Sequence, residues 1–162
     1  MCFARRSAQP LRAGVLTETT AEIAAALTLA AARRVAEADV FMRAGHYQGW
    51  LPSLFIGQLL QNKTVGIVGA GRIGAAFARM MVEGHKMDLV YYDPYPNKKL
   101  EEYVRAYGEF LQGRGERGVS VRRVETVDEV CEQADVRAPG LVGPCLRVGC
   151  GAPCSSKARE MF

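Results

Sequence analysis

The sequence predicts an α/β fold: the first half of a doubly wound parallel sheet, preceded by one long helix and followed by an irregular tail. Three observations carry this. A short β-branched run, Thr64 to Val68, leads into glycines at Gly69, Gly71 and Gly74, spaced G-x-G-x-x-G. A helical stretch follows from Ala75 to Val82, with Gly84 expected as its stop. A second apolar run, Leu89 to Tyr92, ends on Asp93. Buried parallel strands read as continuous apolar runs, and strand, turn, helix, strand is the order of a crossover unit.

Residues 1–13 carry no periodicity and contain Pro10. Thr19-Thr20-Ala21-Glu22 has the form of a capping box, with Thr19 capping and Glu22 reaching back. The alanine-rich run beyond it predicts one helix over 17–45, ending near Ala44 with Gly45 as the stop. Alanine covers most of its circumference, so it suits an element wedged between domains or subunits. Residues 46–52 read as a turn-rich linker in which Trp50 anchors against a core.

The glycines then give the first chemistry. Gly69 permits a tight turn out of the strand, Gly71 lets a phosphate approach the backbone, and Gly74 lets the helix pack on the strand. The helix start offers free N–H groups and a positive dipole end to a pyrophosphate. Asp93 stands nineteen residues after Gly74, where a strand-end carboxylate accepts hydrogen bonds from the adenosine ribose. A lone glycine fingerprint is weak, but here strand, helix, second strand and acid all fall in place. The unit is therefore a Rossmann-type dinucleotide site. Asp93 favours NAD over NADP by repelling a 2′-phosphate; Lys98 and Lys99 stand near enough to soften that preference, though they read first as a solvated helix start.

Beyond Asp93, Pro94 and Pro96 break the chain. Residues 98–111 predict an amphipathic helix with Leu100, Tyr103, Val104, Tyr107 and Phe110 inward. Val119 to Val124 alternates as a third strand, Thr126 caps a short helix over Val127 to Gln133, and Ala134-Asp135-Val136 starts a fourth strand. Residues 137–162 are rich in Gly, Pro, Cys and Arg without a usable period, so a disordered tail is expected there.

Composition narrows the function class. In 162 residues, 49% hydrophobic and 23% charged content fits a water-soluble globular domain, and no apolar run nears a membrane span. The +4 net charge comes from dispersed arginines without interleaved aromatics, so no nucleic-acid partner is expected. Five cysteines, an odd count, argue against a disulfide framework. Cys145, Cys150 and Cys154 are spaced C-x4-C-x3-C with no histidine nearby, so no metal site is expected.

Several segments carry a family resemblance. Residues 14–22 and 31–35 resemble the D-isomer-specific 2-hydroxyacid dehydrogenases. Phe41-Met42-Arg43-Ala44-Gly45, Trp50-Leu51-Pro52, residues 68–74, residues 80–84 and Tyr91-Tyr92-Asp93 are similar to the plant-type hydroxypyruvate reductase (glycerate dehydrogenase) branch. The similarity extends over about Gly14 to Val136. It implies a remnant of a substrate-domain boundary over 1–16, an interdomain helix over 17–45 and a partial NAD-binding domain over 46–136. Arg72 and Ile73 would contact the cofactor pyrophosphate and Asp93 the adenosine ribose.

For the parent enzyme the resemblance implies reduction of hydroxypyruvate, and more weakly glyoxylate, with NADH. It also implies a homodimer contacting through the long helix. In this family an arginine holds the keto acid, and a histidine oriented by a glutamate supplies the proton. No position of this chain matches those three, and neither His46 nor His85 is expected to serve as the acid. The chain is thus expected to be an inactive piece of a longer enzyme; a non-catalytic NAD-sensing or partner-binding module fits the missing set equally well. A peroxisomal address follows from the resemblance alone, since Arg159-Glu160-Met161-Phe162 is not a Ser-Lys-Leu-type signal; without it the expectation is cytoplasmic.

Overall fold

A computed structural model describes residues 15–139. Nine elements follow in order: α1 (Val15–Ala32), α2 (Val35–Arg43), β1 (Thr64–Val68), α3 (Arg72–His85), β2 (Asp88–Tyr92), α4 (Lys98–Gly113), β3 (Val121–Arg123), α5 (Val127–Gln133) and β4 (Val136–Pro139). The four strands form one all-parallel sheet in the order β3-β2-β1-β4. The chain first winds outward from β1 to β3, then returns to place β4 on the other side of β1. That reversal makes β1/β4 the switch point, and ligands of such sheets gather at the carboxyl ends of the strands beside it.

The sheet is covered on both faces. Val65, Ile67, Leu89 and Tyr91 pack with Phe77, Ala78, Met81 and Val82 of α3 and with Leu100, Val104 and Leu111 of α4. Ala21 of α1 is fully buried in the same cluster. On the opposite face Val90 packs with Val124 and Val130 beneath α5. Here Gly66 lets α5 approach β1 closely, because a Cβ on it would meet Val130 Cγ1 at 2.7 Å.

The expected single helix over 17–45 is corrected: it is two helices, broken at Arg33 and Arg34. The cause is a contact between residues distant in sequence. Gln58 N–H donates to the Ala32 carbonyl at 2.7 Å, taking an acceptor that would otherwise serve the next turn. Gly57 lies so close to Arg33 that a Cβ would come within 2.8 Å of its Cα. Arg34 takes a left-handed φ of 55°, held by its ion pair to Glu37 at 2.6 Å and by stacking over the Phe55 ring. The expected stop near Ala44 agrees with the structure, Gly45 having φ 72°.

Other expectations are also revised. Thr19 is not a cap: α1 starts at Val15, and the neighbouring Thr20 hydroxyl back-bonds to the Leu16 carbonyl within the helix. α3 runs through Gly84 to His85, and Lys86 supplies the left-handed residue at φ 51°, its ammonium held by Glu116. Trp50 does not anchor the linker but is 80% exposed, while Leu60 enters the core. In α4 Phe110 faces outward against Tyr107 and Arg114, and Leu111 takes the inward place. β4 extends through 137–139, residues assigned above to the tail, because backbone pairing with β1 does not require apolar side chains. The rest of that tail, the remnant before residue 15 and four of the cysteines lie outside the described residues. Among the described residues no helix is long and apolar enough to cross a membrane.

Candidate functional site

The site forms where β1 and β2 end. Gly69 carries the first turn at φ 96°, a backbone that side chains rarely adopt, while its N–H still pairs with the Tyr92 carbonyl at 2.8 Å. Gly74 faces the turn across van der Waals contact, and a Cβ there would collide with the Gly69 carbonyl oxygen. Gly71 stands at the α3 start with no side-chain cap and nothing within 4 Å of where a Cβ would be. Its carbonyl accepts the first helical bond from Ala75 at 2.8 Å. An uncapped helix start with open space before it leaves N–H groups for an anion.

The residues singled out from sequence fall around this turn. Arg72 is exposed as the first residue of α3. The Ile73 side chain packs against the core, so its N–H is what it presents at the helix start. Asp93, at the end of β2, is half-buried and accepts from Ala70 N–H at 2.8 Å and from Tyr95 N–H at 2.9 Å, one bond to each oxygen. Each carboxylate oxygen keeps a second acceptor position, enough for a pair of ribose hydroxyls. The Arg123 guanidinium donates twice to the Asp93 carbonyl, at 3.2 and 3.1 Å, and fixes the strand end.

Sequence reasoning missed a second set of residues behind Asp93. Asn97 caps α4, its Oδ1 accepting from Leu100 N–H at 3.1 Å, while its Nδ2 donates to the Ala70 carbonyl at 2.7 Å. The Asn97 N–H donates to the Tyr91 hydroxyl at 3.1 Å, which donates in turn to Glu101 at 2.6 Å. Burial, and then the hydrogen bond to Glu101, push the Tyr91 phenol up to about 12. An asparagine just before a helical run signals a cap; its reach back to Ala70 has no local signature.

Between the two loops lies an open cleft of about 550 Å³, lined by Ala70 and Gly71 on one side and by Asp93, Tyr95, Pro96, Asn97, Lys98 and Lys99 on the other. A carboxylate at one place and two lysines nearby suit a ligand with a sugar and phosphates. The donor groups therefore fit the adenosine and pyrophosphate of a dinucleotide. His85 ends α3 at the opposite, amino edge of the sheet, its carbonyl accepting from Asn62. The His46 ring, beyond α2, meets the Phe41 ring at a tilt of 54°. Neither approaches the cleft. Among the described residues no group of three or more His, Cys, Asp or Glu is placed to hold a metal ion.

Sheet order, glycine turn and strand-end acid together define the first half of a dinucleotide-binding domain. Comparison with known proteins then gives the family. Residues 25–136 match the D-isomer specific 2-hydroxyacid dehydrogenase, NAD binding domain, and the chain belongs to that family. It is 64% identical over 123 residues to glycerate dehydrogenase of Cucumis sativus, covering 76% of this chain and 32% of that protein. It is 60% identical over the same length to "Glycerate dehydrogenase HPR, peroxisomal" of Arabidopsis thaliana, with the same coverage. Among solved structures, the TT0316 protein of Thermus thermophilus superposes with a TM-score of 0.64 at 32% identity, over 82% of this chain and 36% of that one. The chain thus spans about a third of the length of the curated relatives it matches.

Proposed function

We propose that this chain is the NADH-binding part of an oxidoreductase that reduces hydroxypyruvate to D-glycerate, with glyoxylate as a weaker substrate. The observation that carries the reading is the 64% identity to a glycerate dehydrogenase across the unit that contains the glycine turn. Gly69, Gly71 and Gly74 shape the phosphate seat, the N–H groups of Arg72 and Ile73 face the pyrophosphate, and Asp93 takes the adenosine ribose. When bound, the nicotinamide would supply the hydride for a keto carbon. The arginine, glutamate and histidine that act on the keto acid in this family have no counterpart here, so the 162 residues alone are expected to bind cofactor without turnover.

The test is made on the complete gene product from the source, assayed with NADH and a panel of 2-keto acids. Reduction of hydroxypyruvate in preference to pyruvate supports the reading, and NADH binding without reduction of any 2-keto acid contradicts it. A peroxisomal location is proposed with it, from the name of the Arabidopsis relative, and is checked by imaging the tagged complete product.

A homodimer belongs to the same proposal. Leu16, Ile23 and Leu27 stand exposed along α1, with Val40 and Met42 on α2. Single exposed apolar residues are common on any surface, but Leu16, Ile23 and Leu27, seven and four residues apart, share one face of α1, and an apolar stripe of that kind suits a protein contact. A second copy is expected to cover it, and Leu27→Glu should shift sedimentation from dimer to monomer. A wild-type chain that sediments as a monomer at all concentrations contradicts it.

A further inference from the structure

Ala70, between two turn glycines, has both of its backbone polar groups taken by side chains of one loop. Its N–H donates to Asp93 at 2.8 Å, and its carbonyl accepts from Asn97 Nδ2 at 2.7 Å. A residue flanked by glycines has peptide planes that swing easily, and a turn that seats a pyrophosphate must hold its N–H groups on target before the ligand arrives. The orientation of the Asn97 carboxamide is dictated by its surroundings. Its oxygen faces the Leu100 N–H and its nitrogen faces a carbonyl, so the reverse orientation would oppose like groups at both ends. The Asn97 backbone is in turn tied to Tyr91, and Tyr91 to Glu101 on α4.

We propose that Asn97 is a positioning residue for the cofactor: it clamps Ala70 so that the glycine turn is set for a pyrophosphate. The inference rests on the proposed cofactor site. It distinguishes two tasks within one side chain, the Oδ1 capping α4 and the Nδ2 holding the turn. Asn97→Ser separates them, because serine keeps a neutral capping oxygen and is too short to reach the Ala70 carbonyl.

The experiment compares wild type and N97S for binding of NADH, ADP and adenosine, and for hydrogen exchange at the Ala70 amide without ligand. Affinity for NADH and ADP is expected to fall about tenfold, the size set by one lost hydrogen bond. Affinity for adenosine, which lacks phosphate and meets the turn only through Asp93, should stay within twofold, and the Ala70 amide should exchange faster. A merely structural role would weaken all three ligands together, and that outcome overturns the clamp. So does an N97S chain that binds NADH as wild type does. A wild type that binds neither NADH nor ADP overturns the cofactor reading itself, and the clamp with it. Asn97→Thr, a second neutral cap, decides the matter if N97S fails to fold.

Discussion

The carboxylate of Asp93 and the amide of Ala70 meet at 2.8 Å across the carboxyl ends of β2 and β1. The acceptor proposed for the ribose and the turn proposed for the phosphates are therefore joined by a hydrogen bond, with a second acceptor position left on the carboxylate for a ligand. Asp93 is held by Arg123 from the β3 side, so the contacts extend over three adjacent strands.

Replacing Asp93 with serine should alter cofactor choice more than folding. The like charge that opposes a 2′-phosphate is removed, and Lys98 and Lys99 remain on the cleft wall. The ratio of NADH to NADPH affinity is expected to fall by about tenfold or more, as loss of one nearby charge in a partly screened site implies. Fluorescence titration with both cofactors measures it, and an unchanged ratio would show that Asp93 does not read the ribose.

Gly74→Ala tests the contact between helix and turn. The added methyl would strike a backbone carbonyl, which cannot swing aside as a side-chain tip can. A loss of about 2 kcal/mol of stability is expected, together with weaker NADH binding. Chemical denaturation and a binding titration on the same sample check both.

Tyr91 gives a pH prediction with a defined sign. In the folded chain the phenol stays neutral up to about 12, whereas an unfolded tyrosine ionises near 10. Its contribution to stability is complete below pH 10 and is lost as pH rises from 10 towards 12. Relative to Tyr91→Phe, the wild type should lose about 2 kcal/mol over that interval. Paired urea melts at pH 9 and 11.5 would reveal it.

The sheet and its glycine turn were legible because they rest on local signals. Apolar runs mark β1 and β2, spaced glycines mark the turn, and Thr126 marks the start of α5, where it accepts from Glu129 N–H as expected. What escaped sequence reasoning depends on partners far along the chain. The Ala32 carbonyl, at the end of α1, is taken by the Gln58 N–H, and periodicity in an alanine-rich run cannot register that. Asn97 reads as a cap and conceals its bond to Ala70, 27 residues earlier. Trp50 has the chemistry of a core anchor, yet it lies on the exposed side of the linker.

The break between α1 and α2 can be probed in the same terms. Gly57→Val would drive the 55–58 segment off Arg33, releasing the Ala32 carbonyl and the Phe55 contact with Phe41. A stability loss of about 2 kcal/mol is expected, with binding at the distant cleft unchanged. Denaturant melts and the NADH titration read the two effects apart.

The most direct test of the account is an NMR titration of the labelled chain with NADH. Amide shifts should concentrate at residues 69–74 and 93–97, saturate with increasing ligand, and disappear in a variant carrying both Gly74→Ala and Asp93→Ser. Shifts that centre elsewhere in the sheet, or their absence at millimolar NADH in a folded sample, would contradict the claim that this turn and this acid form the cofactor seat.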